Sequence, residues 1–155
     1  LCSALIDDVR ARIPVAGSLD EAALAVAREH REARRPIAGY GHPLHKPVDP
    51  RAERMIALAR ERGVAGPSVE AAVALTKAIA LVWSKPLPMN VSMAIAATLS
   101  DVDVPPGLIR AIPVLARTAG LIAHLMEESE TPIGFFLASK GEDAIAHTAA
   151  KAGAA

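Results

Sequence analysis

Residues 34–51 read RRPIAGYGHPLHKPVDPR, a segment that separates two alanine-rich stretches with helical spacing. It holds two glycines, four prolines, two of the chain's five histidines and its only tyrosine. A loop of this length without secondary structure is uncommon in a compact domain and is usually functional. Glycine lets backbone approach a ligand closely, proline restricts the chain, and histidine exchanges protons near neutral pH. Lys46 and Arg51 offer anion contacts, so we predict that this loop binds a small, negatively charged carbonyl compound.

The sequence on both sides of the loop predicts an all-α fold. Apolar residues recur at helical spacing along most of the chain, and no stretch alternates strongly enough to indicate a strand. Ser18, three residues before Glu21, forms a capping-box start for one helix. Asp49 is suited to cap the next helix with Pro50 at its first position, which would hold Arg51 rigidly in the first turn, behind the loop.

Prolines and small polar residues set the other expected boundaries. Residues 14–17 are expected to form a turn, and Ser68 is expected to cap a helix that ends at Trp83. Pro113 should kink or break the helix that contains it. The later helices are predicted over residues 90–99, 108–128 and 135–147.

Composition limits the class of protein. The 155 residues suffice for one ordinary domain with a hydrophobic core, and 17 basic residues balance 17 acidic ones. This balance argues against a nucleic-acid-binding protein, which would show a basic surface. A single cysteine, Cys2, excludes an internal disulfide framework and suits a reducing cytoplasm, the location that we expect. We find no apolar run close to the roughly 20 residues that cross a bilayer, so we expect no membrane partner.

Three motifs carry a resemblance to a known family. They are GYGHP (residues 39–43) with DPR (49–51), NV (90–91) and ARTAGLIAH (116–124). In this order they resemble the C-terminal half of the citrate synthase family, which includes citryl-CoA lyases, over residues 37–128. The resemblance implies an all-α, multi-helical bundle made of the small-domain helices and part of the large domain. Residues 1–155 would then be the C-terminal part of a citrate synthase-like domain, without its N-terminal region.

The resemblance also implies the chemistry. The family joins an acyl-CoA to a dicarboxylic oxo-acid, as acetyl-CoA to oxaloacetate in the tricarboxylic acid cycle, works as a homodimer, and uses no metal or redox cofactor. His42 matches the catalytic histidine that hydrogen-bonds the oxo-acid carbonyl, and Arg51 and Arg117 match the arginines that bind substrate carboxylates. The alternative for His42 is a turn histidine, and the alternative for the two arginines is a charge at a helix end. The helix-end alternative fits Arg117 less well, because its apolar neighbours predict a buried guanidinium that needs an anionic partner.

CoA enters this family as the thioester substrate rather than as a cofactor. The resemblance implies that the loop backbone holds its adenine and that Lys46 meets its phosphates, although a solvated loop charge is an equal alternative for Lys46. We expect His45 at the loop surface and His124 in a core or an interface. The residues expected to contact CoA are Ile37, Ala38, Gly39, Tyr40, Gly41, Lys46 and Asn90.

Two departures from the family pattern bear on activity. After Asn-Val the family has an aspartate that removes the methyl proton of acetyl-CoA, and here that position holds Ser92. A serine hydroxyl cannot replace a carboxylate base unless a neighbour activates it. No counterpart is evident in these 155 residues for the family's other catalytic histidine or for the arginines near its C-terminus.

The motifs and departures support two main hypotheses. The first is an enzyme, either an acyltransferase of the citrate synthase type or a citryl-CoA lyase running the reverse reaction, with Ser92 at the position of the catalytic base. The second is a catalytically weak acyl-CoA-binding paralogue or partner subunit. A plain helical interaction module is a third possibility, but it leaves the joint occurrence of His42, Arg51 and Arg117 unexplained.

Overall fold

The computed structural model describes the backbone of residues 1–152 and the side chains of residues 1–145. Within this part of the chain there are eight helices and no strand, which confirms the all-α prediction. The chain divides into two compact units, Leu1–Ala111 and Ile112–Ala155. The helices are α1 (Cys2–Ala16), α2 (Leu19–Glu32), α3 (Pro50–Glu61), α4 (Pro67–Trp83), α5 (Val91–Asp101), α6 (Pro106–Ile109), α7 (Ala111–Glu130) and α8 (Gly134–Ala152).

The core of the first unit is built from alanines around a few larger side chains. Ile6, Leu75, Ile79 and Met93 are among the largest fully buried side chains and come from α1, α4 and α5. Small contact residues let helix axes come closer together than large ones do. The buried alanines are Ala22, Ala23 and Ala27 on α2, Ala52 and Ala59 on α3, Ala71, Ala72, Ala74 and Ala78 on α4, and Ala94, Ala96 and Ala97 on α5.

Two predicted helix starts are confirmed, and one is wrong. Ser18 accepts a hydrogen bond from the Glu21 amide at 3.2 Å, and Asp49 accepts one from the Arg51 amide at 3.1 Å. Ser68 does not cap α4, because it lies fully buried inside the first turn.

The carboxylate of Asp101 caps α4 instead. It accepts hydrogen bonds from the amides of Gly66, Ser68 and Val69 at 2.7, 2.8 and 2.9 Å. This acceptor comes from the last residue of α5, more than thirty residues along the chain. It satisfies amides that have no partner within α4 itself.

Prolines interrupt the helices less than the sequence suggests. Pro14 lies inside α1, which continues to Ala16 and ends at Gly17 in the left-handed conformation, so the predicted turn over residues 14–17 is wrong. The predicted break near Pro113 is confirmed, but it falls at Arg110, between α6 and α7. Pro113 itself lies in the first turn of α7, where an amide would have no helical partner to lose.

The second unit consists of α7 and α8. No residue of α7 is buried, and apolar side chains such as Leu121, Ile122 and Phe136 are exposed. The stretch Pro106–Glu130 has a mean hydropathy of 1.4 over its most apolar window, which is long and apolar enough for a membrane span by length and composition. The expectation that no such run exists is therefore wrong, since Arg110 and Arg117 are the only Asp, Glu, Lys or Arg residues within residues 106–126.

The glycine- and proline-rich loop is fixed onto the segment before α5. Tyr40 forms an isolated antiparallel bridge with Met89. The Gly41 amide donates to the Pro88 carbonyl at 2.7 Å, and the Asn90 amide donates to the Gly39 carbonyl at 2.9 Å. The loop thus has a defined path that runs from α2 to the starts of α3 and α5.

Two glycines of this loop provide a matched test of that path. Gly39 and Gly41 have φ angles of +84° and +87°, but only at Gly39 would a Cβ meet a neighbour, 2.7 Å from the Cβ of Met93. We expect Gly39→Ala to cost about 2 to 5 kcal/mol of unfolding free energy, from backbone strain plus overpacking, and Gly41→Ala only about 1 to 2. Urea denaturation of both variants measures the difference. Equal losses would contradict the close approach.

Candidate functional site

A buried carboxylate lies at the centre of the site. Asp49 has no exposed surface, although it ends an otherwise exposed stretch of loop. Its Oδ1 accepts hydrogen bonds from the Arg51 amide and from Arg51 Nε at 3.1 and 3.0 Å. Its Oδ2 accepts from Arg51 Nη2 and from the Val91 amide at 2.8 and 3.2 Å. Asp49 therefore joins the first turns of α3 and α5 and holds the Arg51 guanidinium at two points.

The electrostatics follow from this pairing. Hydrogen bonds from the Arg51 side chain hold the pKa of Asp49 well below its usual range, although burial acts in the opposite direction. The same hydrogen bonds raise the pKa of Arg51. A buried carboxylate needs partners of this kind, because an isolated charge inside a protein is strongly unfavourable.

The imidazole of His42 lies against Nη2 of the same arginine. Its Nδ1 accepts hydrogen bonds from the amides of Leu44 and His45, both at 3.1 Å. Its Nε2 lies 3.2 Å from Arg51 Nη2. Since two backbone donors point at Nδ1, the hydrogen-bond network assigns the ring proton of neutral His42 to Nε2.

In this tautomer, both groups at the contact between His42 and Arg51 are hydrogen-bond donors. Arg51 has no acceptor atom, and His42 Nε2–H has none in this tautomer, so the two groups cannot satisfy each other. Both can instead donate to one external acceptor that lies near Nε2 and Nη2. A carboxylate, or a carboxylate next to a carbonyl oxygen, meets that requirement with charge-assisted hydrogen bonds.

His45 is closer to this site than the sequence suggests. It is half-buried, and its ring centroid lies 4.4 Å from that of His42. Ligand atoms of His42, His45 and Asp49 lie within 4.8 Å of one another, a spacing that could hold a metal ion. Both oxygens of Asp49 are already bound to the Arg51 cation. The charge of Arg51 opposes a second cation, so the arrangement favours an anion.

A groove of about 520 Å³ opens beside His42 and Lys46, between the loop and residues 86–88. Lys46 is exposed, as expected of a residue that meets phosphates or solvent. A larger groove of about 610 Å³ lies between α3 and α4, with mostly apolar walls. His42 lines only the smaller of these two grooves, and Arg51 lines another groove, of about 460 Å³, together with Val91 and residues of α3 such as Met55.

Some of the residues expected to hold adenine are buried or hydrogen-bonded within the protein itself. Ile37 and Tyr40 are buried, and the Tyr40 hydroxyl donates to the Ala72 carbonyl at 2.7 Å. Burial raises the pKa of Tyr40, in keeping with a structural phenol. The half-buried Gly39, Gly41 and Ala38 form the exposed side of the loop, although several backbone groups of the two glycines pair with the segment before α5.

Asn90 connects the loop to α5. Its Oδ1 accepts hydrogen bonds from the amides of Ser92 and Met93 at 3.0 and 3.4 Å, and its Nδ2 donates to the Gly41 carbonyl at 3.2 Å. This side chain thus has a structural role, as the cap of α5, beside the predicted contact with CoA. Ser92 follows in the first turn of α5, with an exposed side chain.

Arg117 and His124 lie on α7, in the second unit. Arg117 is exposed, so the prediction of a buried guanidinium is wrong for this chain. The apolar residues that flank it in sequence are themselves exposed, and they provide no covering layer. His124 is also exposed and contacts Glu127 at 3.1 Å, which excludes the predicted core position within the described residues. The pair of predicted substrate residues that the structure brings together is His42 and Arg51.

Sequence reasoning missed the central role of Asp49. It predicted Asp49 as a helix cap but not as the partner of the Arg51 side chain. The available signal was the DPR tripeptide, because an N-cap aspartate two residues before an arginine places both in one helical turn.

The pairing of Asp49 with Arg51 predicts a specific acid response. A carboxylate with a lowered pKa stabilises the fold fully above about pH 4, and this contribution is lost as the pH falls from about 4 towards 2. We expect Arg51→Ala to lose about 1 to 3 kcal/mol near pH 7, less than for a fully buried pair because Arg51 is half exposed, and to decline less steeply below about pH 4.

Arg54→Ala is the matched control for this experiment. Arg54 lies on the same helix and pairs with Glu61 at 2.8 Å on the surface. Because exposed ion pairs contribute little, we expect this variant to keep the wild-type pH dependence. Urea denaturation between about pH 2 and 7 measures both variants. Identical pH slopes for the two would contradict the assigned coupling.

Comparison with known proteins supports the family suggested by the motifs. The model for "Citrate synthase, C-terminal domain" matches residues 5–134. Among solved structures, citryl-CoA lyase from Hydrogenobacter thermophilus is similar, with 28% sequence identity and a TM-score of 0.69 over 86% of this chain and 51% of that one. The chain thus spans about half the length of that structure. Comparison with curated proteins finds no match. The family match covers most of the chain and includes the GYGHP and DPR motifs, which form the site. The chain therefore belongs to the citrate synthase family.

Proposed function

We propose that this chain is part of an enzyme that cleaves or forms the carbon–carbon bond between an acyl-CoA and a dicarboxylic oxo-acid. The observation that carries the proposal is the 3.2 Å contact between His42 Nε2 and Arg51 Nη2. The two amides that point at His42 Nδ1 assign the ring proton to Nε2, which makes both atoms of the contact donors. Oxaloacetate and the citryl group each present a carboxylate next to a carbonyl or hydroxyl oxygen. They therefore supply the acceptors that this pair requires.

The bond changes match what these two side chains can do. In cleavage of citryl-CoA, the hydroxyl proton passes to water, the carbon–carbon bond breaks, and its electron pair forms the acetyl-CoA enolate, which then takes up a proton from water. Condensation reverses these steps. In either direction negative charge develops on the oxygen beside His42 Nε2–H, which stabilises it, while Arg51 holds the neighbouring carboxylate.

The cleavage direction has the better support. The similar solved structure is described as a citryl-CoA lyase, and an exposed serine hydroxyl at Ser92 is a weak base for forming an enolate. The groove beside Lys46 is suited to the CoA phosphates. We propose that the protein acts as a cytoplasmic homodimer, with CoA as part of the substrate and without a metal. Arg117 is proposed, from the family resemblance, to contact a substrate carboxylate.

The serine also favours an alternative. A chain with Ser92 at the position of a carboxylate base could bind acyl-CoA and oxo-acid without efficient turnover, and serve as a partner of an active homologue. This alternative keeps the His42 and Arg51 donors and the Lys46 groove. It differs from the enzyme in rate and not in binding.

Activity assays with the full chain distinguish the two. We expect acetyl-CoA to be released from citryl-CoA, and citryl-CoA to form more slowly from acetyl-CoA plus oxaloacetate. Ser92→Asp should speed the condensation about a hundredfold or more, because it supplies a general base, while the uncharged control Ser92→Asn should not. No turnover by wild type or Ser92→Asp, with CoA still bound in calorimetry, would refute the enzyme and leave the alternative. Loss of CoA binding as well would refute both.

The two ligands should respond to different side chains. Arg51→Ala and Arg117→Ala should each weaken oxaloacetate binding about tenfold or more, the effect of losing a charge-assisted hydrogen bond, and leave CoA binding intact. Lys46→Ala should weaken CoA binding and reduce its salt dependence. Calorimetry with each ligand measures these effects, with Arg54→Ala as the control. Equal loss of both ligands in any one variant would indicate misfolding and count against the separate roles.

A further inference from the structure

The guanidinium of Arg51 can donate hydrogen bonds along two edges, and Asp49 binds one of them. The edge formed by Nε and Nη2 binds Asp49 at 3.0 and 2.8 Å. A guanidinium has five N–H groups, so this pair leaves three, of which one on Nη2 lies next to His42. We propose that Asp49 is a positioning residue, which fixes Arg51 so that its second edge faces the oxo-acid carboxylate beside His42. This inference rests on the proposed function, since it concerns the same ligand.

Asp49 is suited to this role because it is itself rigid. It is fully buried and also accepts hydrogen bonds from the amides of Arg51 and Val91. Its orientation is therefore set by the first turns of two helices and not by the loop. A side chain held in this way transfers the precision of the helices to the guanidinium, and misplacement by about 1 Å at a reacting site can cost a hundredfold in rate.

The charge of Asp49 and a positioning role for Asp49 predict opposite changes in oxaloacetate binding when the carboxylate is removed. This difference makes the proposal testable. The carboxylate of Asp49 repels a bound anion, so its removal by charge alone would tighten oxaloacetate binding. If Asp49 positions Arg51, its removal weakens that binding, because the guanidinium loses its fixed orientation. The sign of the change thus separates a positioning role from simple neutralisation.

Asp101 provides the matched control. Its carboxylate, from the end of α5, accepts hydrogen bonds from the amides of Gly66, Ser68 and Val69 at the start of α4, and in the described structure no arginine or lysine pairs with it. Asp49→Asn and Asp101→Asn should both lower the unfolding free energy, since each removes a capping charge. Only Asp49→Asn should alter the binding of oxaloacetate.

The experiment is oxaloacetate calorimetry on the full chain, for wild type and both variants. We expect Asp49→Asn to weaken binding about ten- to a hundredfold and Asp101→Asn to leave it unchanged. Unchanged or tighter binding in Asp49→Asn would overturn the inference, as would equal weakening in both variants.

Two further measurements cover the remaining outcomes. If Asp49→Asn does not fold, Arg51→Lys replaces it, because lysine keeps the charge but lacks the planar fork. It should bind oxaloacetate as weakly as Arg51→Ala, and wild-type affinity would overturn the inference. If the wild type binds no oxaloacetate, the proposed function fails. The orientation of Arg51 is then read from its Nε–H signal by NMR, which should be protected from exchange in wild type and in Asp101→Asn, and an unprotected signal overturns it.

Discussion

The buried carboxylate of Asp49 joins the parts of the first unit that form the site. It receives the amides of Arg51 and Val91, and thus connects the starts of α3 and α5, while it pairs with the Arg51 side chain. A buried charge is tolerated only with such partners, so the pairing constrains both helices at once. Asn90 adds a second connection, from the start of α5 to the Gly41 carbonyl. The loop that carries His42 is thereby held between two fixed helix ends.

This scaffold produces a site made of donors. Backbone amides donate to His42 Nδ1, and Asp49 accepts hydrogen bonds from one edge of Arg51. The groups left at the contact between His42 and Arg51 are the N–H groups of Nε2 and Nη2. An arrangement that directs donors at one point without supplying an acceptor is suited to an anionic ligand. The site of a carbon–carbon lyase or synthase needs the same arrangement, because charge develops on an oxygen that lies next to a carboxylate. The local chemistry thus agrees with the family match.

Local sequence rules predicted the features that depend on neighbouring residues. The all-α fold, the caps at Ser18 and Asp49 and the irregular loop all follow from spacing within one helical turn or from glycine and proline content. The motifs also located His42 and Arg51. The prediction that Ser68 caps α4 failed because the cap comes from a residue distant in sequence. Asp101 caps α4 from another helix, and nothing in the sequence around Ser68 indicates this acceptor.

Burial was the other quantity that the sequence predicted poorly. Apolar neighbours suggested that Arg117 is buried, but burial requires a second surface, and within the described residues α7 has no buried side chain. The loop shows the reverse case, since Tyr40 and Asp49 are buried in a segment of polar and turn-forming residues. Both follow from packing between elements, which periodicity along one element does not determine.

In the proposed site, His42 and Arg51 both act as donors towards one anion. The most direct measurement is ¹⁵N NMR of the His42 ring, with and without oxaloacetate. We predict that the neutral ring carries its proton on Nε2, that Nδ1 is an unprotonated acceptor, and that oxaloacetate shifts Nε2 while Nδ1 changes little. A proton on Nδ1 in the ligand-free protein, or an Nε2 signal that does not respond to oxaloacetate, would contradict the account.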